Sequence, residues 1–364
     1  MPKRKASFDL LKILAMFGII LFHHFGNRIP NLFVQLTDGF TTETYFYDFI
    51  NNVPGGVSKV SLVMDFCYGH FGDGGNFIFM LITGFFLFGK RITFPKRIRT
   101  VSSVLYAIFF YGIIFTFINF SLSRIFTFPN WFSGENLWYL QAYGIFILLI
   151  LPLLKLFEDK LTQKIHLCLS LALIFINFLA YSKYLPNIWI SVRLVQFTMC
   201  YYIGGYFSKY KFKISNKKLF AFTIAYLVLY FTYEYYWRYI CAKEYEPSSY
   251  SYISVMQPFL CCIIFSLLCF SIFNNINIHS SKALVNISAS TIGIYIFHYN
   301  FMEISFTIAN KFWWKDWSRN GFFLFAIIDS ILLFIIGVVI DKIRVWSYKK
   351  LEVGAEKLIL DNNS

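Results

Sequence analysis

The segment from Phe8 to Phe25 reads FDLLKILAMFGIILFHHF, an apolar run holding Lys12 near its start and His23 and His24 near its end. Histidine takes and returns protons near neutral pH, so it serves as a general base wherever a hydroxyl must be activated. In a helix, the eleven-residue step from Lys12 to His23 makes about three turns, which puts both side chains on one face about 16 Å apart. Ionisable groups inside a membrane-length run usually face the protein interior and mark a path for a substrate or an ion. His24 points about 100° away from that face and is expected to be a packing or headgroup residue.

A second histidine, His298, follows Tyr295 by one turn in the run SASTIGIYIFHYN. It reads equally as a catalytic partner of His23 or as a structural hydrogen bonder. Arg193 lies too deep in an apolar run to be an ordinary loop charge and needs a partner, either Glu234 or a substrate group. Asp73 and Asn76 stand among Gly72, Gly74 and Gly75, where small residues allow close backbone approach. Gly84 beside Thr83 marks tight helix packing. Trp138 and Tyr139 are either substrate contacts or aromatic-belt residues.

These groups need helices to hold them. Of 364 residues, 57% are hydrophobic and 14% charged, with a mean hydropathy of +0.57, whereas a soluble domain carries nearer a quarter charged residues. Apolar runs of membrane length recur along the chain, centred near Ala15, Met80, Phe110, Phe146, Leu173, Thr198, Ala225, Ile263, Gly293 and Leu333. The expected fold is all-α: a polytopic membrane bundle of about ten transmembrane helices forming one domain over residues 1–364. An even number of spans puts both termini on one side. With the N-terminus inside, twenty-two of the 33 lysines and arginines fall in inner segments and nine in outer ones, so both termini are expected in the cytoplasm and the chain in the plasma membrane.

That asymmetry removes nucleic acid from consideration, although a net charge of +14 would suggest it in a soluble protein. The excess charge instead meets anionic headgroups. The seven cysteines have neither metal nor disulfide spacing; most fall in spans, and Cys67 and Cys241 are expected to be exposed on the outer side. The first span lacks the cleavage site of a secretory signal. No internal repeat stands out, and no carboxylates are paired within spans as proton coupling would use. The longest irregular segment is expected from Gly26 to His70. Its Phe33, Phe40, Tyr45, Phe46, Tyr47 and Phe49 lie beside Asp38, Glu43, Asp48 and Asp65, as in either a sugar-binding surface or a small packed lid.

The first span, with a basic residue, ten residues and then His23, resembles that of the membrane acyltransferase 3 family. Four further stretches agree in order: GDGGNFIFMLITGFFLFGKR (Gly72 to Arg91), the basic run before Val101, NLWYLQAYGIFILLILPLL (Asn136 to Leu154), and SASTIGIYIFHYN (Ser288 to Asn300). The resemblance implies transfer of an acyl group, most often acetyl, from cytoplasmic acyl-CoA to a hydroxyl of a bacterial envelope carbohydrate, with His23 as the essential residue. There are two departures. The family's usual arginine is Lys12 here, which keeps the charge but loses the planar fork. The glutamate that many members carry five residues after the tryptophan is Tyr143.

On this reading His23 and His298 are the catalytic pair, both in the outer half because the first and ninth spans run outward. Lys12, Arg91, Lys96, Arg97 and Arg99 would bind the donor's phosphates, although snorkelling to the headgroups accounts for Lys12, and positive-inside anchoring for the last four, equally well. Asp73, Asn76, Trp138, Arg193 and Tyr295 would line the acceptor side. The partners implied are acyl-CoA as a co-substrate, a carbohydrate acceptor and the bilayer, with no metal and no permanently bound cofactor; the oligomeric state is unreadable. Rival readings are a glycolipid transporter or flippase without acyl transfer, and a structural partner in polysaccharide export.

Overall fold

The computed structural model describes residues 4–25, 59–123, 137–181, 189–240, 250–313 and 319–361, which contain helices and no strand. In chain order the helices are α1 (Ala6–His23), α2 (Lys59–Leu87), α3 (Phe94–Ser123), α4 (Trp138–Ile145), α5 (Leu151–Lys155), α6 (Gln163–Tyr181), α7 (Trp189–Lys209), α8 (Asn216–Ile240), α9 (Tyr250–Asn275), α10 (Lys282–Ala289), α11 (Thr291–Trp313) and α12 (Arg319–Asp361). A π-helical stretch, Phe146–Ile150, joins α4 to α5. It runs into Pro152, whose ring and missing N–H disturb the preceding turn.

Each of the ten expected span centres lies in one of these helical segments. By length and composition, four stretches are apolar enough to cross a membrane: Ala6–His23, Phe94–Ile118, Trp138–Lys155 and Phe323–Val353. The 43 residues of α12 extend about 65 Å at 1.5 Å per residue, well beyond the ~30 Å of a hydrocarbon core. Large apolar side chains are buried on α1, α2 and α7, while α3, α6, α8 and α12 turn Phe109, Phe175, Leu229 and Ile335 outward. An apolar exterior over an apolar core is tolerated in lipid, where burial against protein and exposure to hydrocarbon differ little.

Three helices form the centre. α1 and α2 run antiparallel, with Phe8 against Phe85 at one end and the Phe22 ring against Gly72 at the other. α2 and α7 run parallel, with the backbone of Tyr201 against Gly84 and the carbonyl of Leu81 against Gly204. A Cβ at Gly204 would overlap that carbonyl, which belongs to a rigid helix and cannot turn aside. Gly204→Ala is therefore expected to destabilise the folded protein by about 1–3 kcal/mol, read as a lower midpoint of thermal unfolding in detergent. An equal or higher midpoint would show that the α2–α7 contact has slack.

The ends expected to be cytoplasmic meet at one end of the bundle. Lys5 donates to the carbonyl and Oδ1 of Asn274, at 3.1 and 2.6 Å. Burial, with Lys213 nearby, holds its ammonium below the usual lysine pKa. Glu158, 2% exposed, accepts from the Gly89 amide, from Lys155 Nζ and from the Tyr201 hydroxyl. The carboxylate thus ties the end of α2 to α5 and α7 at a turn where Gly89 takes φ +70°, a conformation that favours glycine.

Several expectations change. The stretch from Lys59 to His70 is helix, not loop, and Asp65 falls on α2. Gly26 to Ser58, with the other aromatic and acidic residues singled out there, lies outside the described residues, as does Cys241. Cys67 is buried at the packed face of α2, and Cys168 on α6 is exposed instead. Arg344, counted among the inner cations, is buried in an ion pair with Asp341 at 2.5 Å. Asp9 was passed over in the first span; it accepts from Arg4 at 2.8 Å and from the Ser288 hydroxyl at 2.9 Å, pinning the start of α1 to α10.

Candidate active site

His23 occupies the last turn of α1, half-buried, with its ring centroid 5.1 Å from that of His298 on α11 and 5.5 Å from that of Tyr299. Two helices far apart in the sequence thus bring their histidine rings together, tilted by 45° to each other. His298 is 2% exposed, and its Nδ1 lies 3.2 Å from the Ile294 carbonyl one turn earlier. A carbonyl only accepts, so Nδ1 carries the proton and Nε2 keeps a lone pair. That Nε2 is buried with no hydrogen-bond partner among the described residues.

From His298 a continuous line of contacts leads inward. The ring of Tyr295 is 5.7 Å from His298 and 5.4 Å from Tyr139 on α4. Tyr139 neighbours Trp138, and the Arg193 guanidinium lies 4.1 Å over the Trp138 ring, within cation–π range. Arg193, on α7 and 6% exposed, donates through Nη1 to Asp73 Oδ2 at 2.8 Å and to Gln196 Oε1 at 3.0 Å. Tyr295 is within electrostatic reach of both members of that ion pair. Helices α1, α2, α4, α7 and α11 therefore converge here, joining His23, His298, Tyr295, Trp138, Arg193 and Asp73. Asn76 follows one turn after Asp73. Asp73 of α2 is a partner of Arg193; the side chain of Glu234 lies outside the described residues.

The residues singled out for a donor lie toward the other end. Lys12 is half-buried and forms no hydrogen bond or ion pair among the described residues, an unusual state for a cation in an apolar helix. Arg91 and Lys96 are exposed. Arg97 donates to the Leu148 carbonyl at 3.3 Å and stacks on Phe94. Arg99 is held by both oxygens of Glu352 on α12. The partners of Arg97 and Arg99 include Leu148, Phe94 and Glu352, away from the histidine pair, and Lys12 shares α1 with His23.

Residues missed in the sequence surround this line. His24 is fully buried rather than at a headgroup level: its Nδ1 lies 2.9 Å from the Ile20 carbonyl and its Nε2 2.8 Å from Asp329 Oδ2 on α12. Ser305 of α11 donates to the same carboxylate oxygen at 2.7 Å. Both nitrogens of His24 are engaged by protein groups, with the Ser330 hydroxyl also 3.4 Å from Nδ1. With both nitrogens engaged, His24 has none to offer a substrate. The spans thus carry the carboxylates Asp9, Asp73, Asp329 and Asp341, each beside a cation or a histidine. Among the described residues, no group of three or more histidine, cysteine or acidic side chains could hold a metal ion.

A family model described as an acyltransferase domain matches residues 5–341, nearly the whole chain. No match was found among curated proteins or among solved structures. The matched stretch begins just before α1 and ends at Asp341 on α12, so it takes in every helix that contributes to the histidine pair and its neighbours. The chain belongs to the acyltransferase 3 family and is a membrane acyltransferase.

Proposed function

We propose that this protein is an O-acyltransferase of the plasma membrane, with about ten spans and both termini in the cytoplasm, that moves an acyl group, acetyl in the first instance, from cytoplasmic acyl-CoA to a hydroxyl of an envelope polysaccharide or its lipid-linked precursor. The observation that carries this reading is the pairing of His23 with His298 at 5.1 Å, in a chain whose family transfers acyl groups. One imidazole takes the proton of the acceptor hydroxyl as its oxygen attacks the thioester carbonyl. The tetrahedral intermediate collapses with cleavage of the C–S bond, and the departing CoA thiolate is protonated as it leaves. His23 is the base in this scheme and His298 orients or assists it.

Lys12 supports the direction of entry. It stands on the His23 face of α1, roughly 16 Å toward the end where Arg91, Lys96 and Arg97 gather, and it makes no ion pair among the described residues. A polyanionic nucleotide at that end, with a thin acyl-bearing arm reaching His23, would meet a cation at each stage.

The test is isotope-labelled acetyl-CoA supplied to membrane vesicles that carry the protein and its native glycans. Label should appear in an ester of the glycan, with stoichiometric release of CoA. Lys12→Ala should raise KM for acetyl-CoA about tenfold with little change in kcat, and Lys12→Arg should restore it, as expected for loss and recovery of a charge-assisted contact to phosphate. If the wild type neither binds acetyl-CoA nor releases CoA, the enzyme reading fails in favour of a carrier that uses the same polar path without chemistry.

A further inference from the structure

A ladder of tyrosine rings starts at the histidine pair. Tyr295 lies 5.7 Å from His298 and 5.4 Å from Tyr139, and Tyr139 lies 6.2 Å from Tyr143, one turn further along α4. The last two rings sit on successive turns of one helix and are parallel to within 11°, so their hydroxyls lie on one side. The Tyr139 hydroxyl is within electrostatic reach of those of both Tyr143 and Tyr295. Tyr139 and Tyr295 are buried and Tyr143 is half-buried, yet none of the three hydroxyls makes a hydrogen bond among the described residues. A phenylalanine would fill each place equally well, so packing does not account for the oxygens. Lipid supplies no water to engage them, and a buried tyrosine hydroxyl usually has a partner.

The ladder leads from the histidines toward the end where a cytoplasmic donor would enter. Beyond Tyr143, α4 passes through the π-helical stretch into α5, whose Lys155 meets Glu158 together with the Gly89 amide. Acyl-CoA carries its thioester on a pantetheine arm whose two amides, on extended-chain dimensions, follow each other at about 5 Å, close to the spacing of the parallel rings. We propose that Tyr139 and Tyr143 hold this arm, the Tyr139 hydroxyl donating to the carbonyl of the amide nearer the thioester and the Tyr143 hydroxyl to that of the next, with Tyr295 lining the last step to His298. The hydroxyls thereby set how far the thioester reaches toward His23. This rests on the acyl-CoA reading, and it gives Tyr295 a donor-side place instead of an acceptor-side one.

The test compares acetyl thioesters in membrane vesicles that carry the full chain and its native glycans: acetyl-CoA, S-acetylpantetheine with both amides, and S-acetyl-N-acetylcysteamine with only the nearer one. Thiol release is measured above the background of vesicles carrying His23→Ala. In the wild type, kcat/KM should fall about three- to tenfold when the second amide is lost, the worth of one hydrogen bond. Tyr143→Phe should cut kcat/KM for S-acetylpantetheine about three- to tenfold more than for S-acetyl-N-acetylcysteamine, whereas Tyr139→Phe should lower both alike. Neither variant should lower the unfolding midpoint, because the hydroxyls bond nothing among the described residues. The wild-type comparison stands as a test even if a variant does not fold. A wild type indifferent to the second amide, a Tyr143→Phe variant that loses equally on both donors, or losses confined to the KM of the glycan acceptor overturn the tyrosine hold while leaving the enzyme reading intact. Wild-type vesicles that discharge none of the three thioesters above background overturn both.

Discussion

Replacing His23 with alanine is expected to lower acyl transfer by a factor of about 10² to 10⁴, the usual contribution of a positioned general base, while the protein should still insert and elute as the wild type does. His23 is half-buried at the end of its helix, so truncation opens little core, and its ring lies 5.1 Å from a histidine whose Nε2 keeps an unpartnered lone pair. If the two imidazoles work as a unit, His298→Gln should approach the same loss, and the double variant should be no worse than His23→Ala alone. Additive losses would mean independent roles. The neighbouring His24 provides the control for specificity: its defect should appear in stability first, because both of its nitrogens are engaged by protein acceptors. Intact-mass measurement after rapid quenching with acetyl-CoA separates direct transfer from an acyl-histidine, since only the latter adds an acetyl group that disappears in His23→Ala. Full activity in His23→Ala would remove the histidine from the chemistry altogether.

How much of this was readable beforehand depends on the physical range of each signal. The Lys12 to His23 step is set by helical periodicity within one run, and the structure keeps it. The all-helical architecture followed from composition and run length for the same reason. Pairings across helices were less accessible. Arg193 announced its need for a partner by its depth, yet Asp73 could not be named as one without knowing that α2 and α7 run side by side. Gln196 gave no signal by itself; it enters the site through the bond it accepts from Arg193. Asp329 and Asp341 were overlooked although each interrupts a strongly apolar run, the same signal that singled out Lys12. Charge counting placed Arg344 in the inner rim because it weighs position along the chain, whereas a carboxylate three residues away draws that guanidinium into the bundle.

The second large effect is expected at Asp329. Removing one partner of a buried, hydrogen-bonded pair leaves the other uncompensated, which typically costs about 3–5 kcal/mol, so Asp329→Ala should lower the unfolding midpoint sharply and reduce the yield of folded protein. Asp329→Asn should cost far less. A neutral His24 can donate from Nδ1 to the Ile20 carbonyl and accept at Nε2 from the asparagine amide, so both bonds of His24 survive with no ion to strand, while the Ser305 hydroxyl, which donates to the same oxygen, must turn to accept from the amide. A cycle of His24→Ala, Asp329→Ala and the double variant should show coupling of about 1–3 kcal/mol, because the two side chains touch. Activity should follow the geometry rather than the charge. The pair fastens the C-terminal end of α1 to α12 one residue beyond His23, and a catalytic group displaced by about 1 Å loses on the order of 10²-fold. Asp329→Asn should therefore keep most of the transfer rate, and the folded fraction of Asp329→Ala should lose it through kcat. A cycle with no coupling, or an asparagine variant as damaged as the alanine one, would mean that His24 and Asp329 do not hold His23 in place.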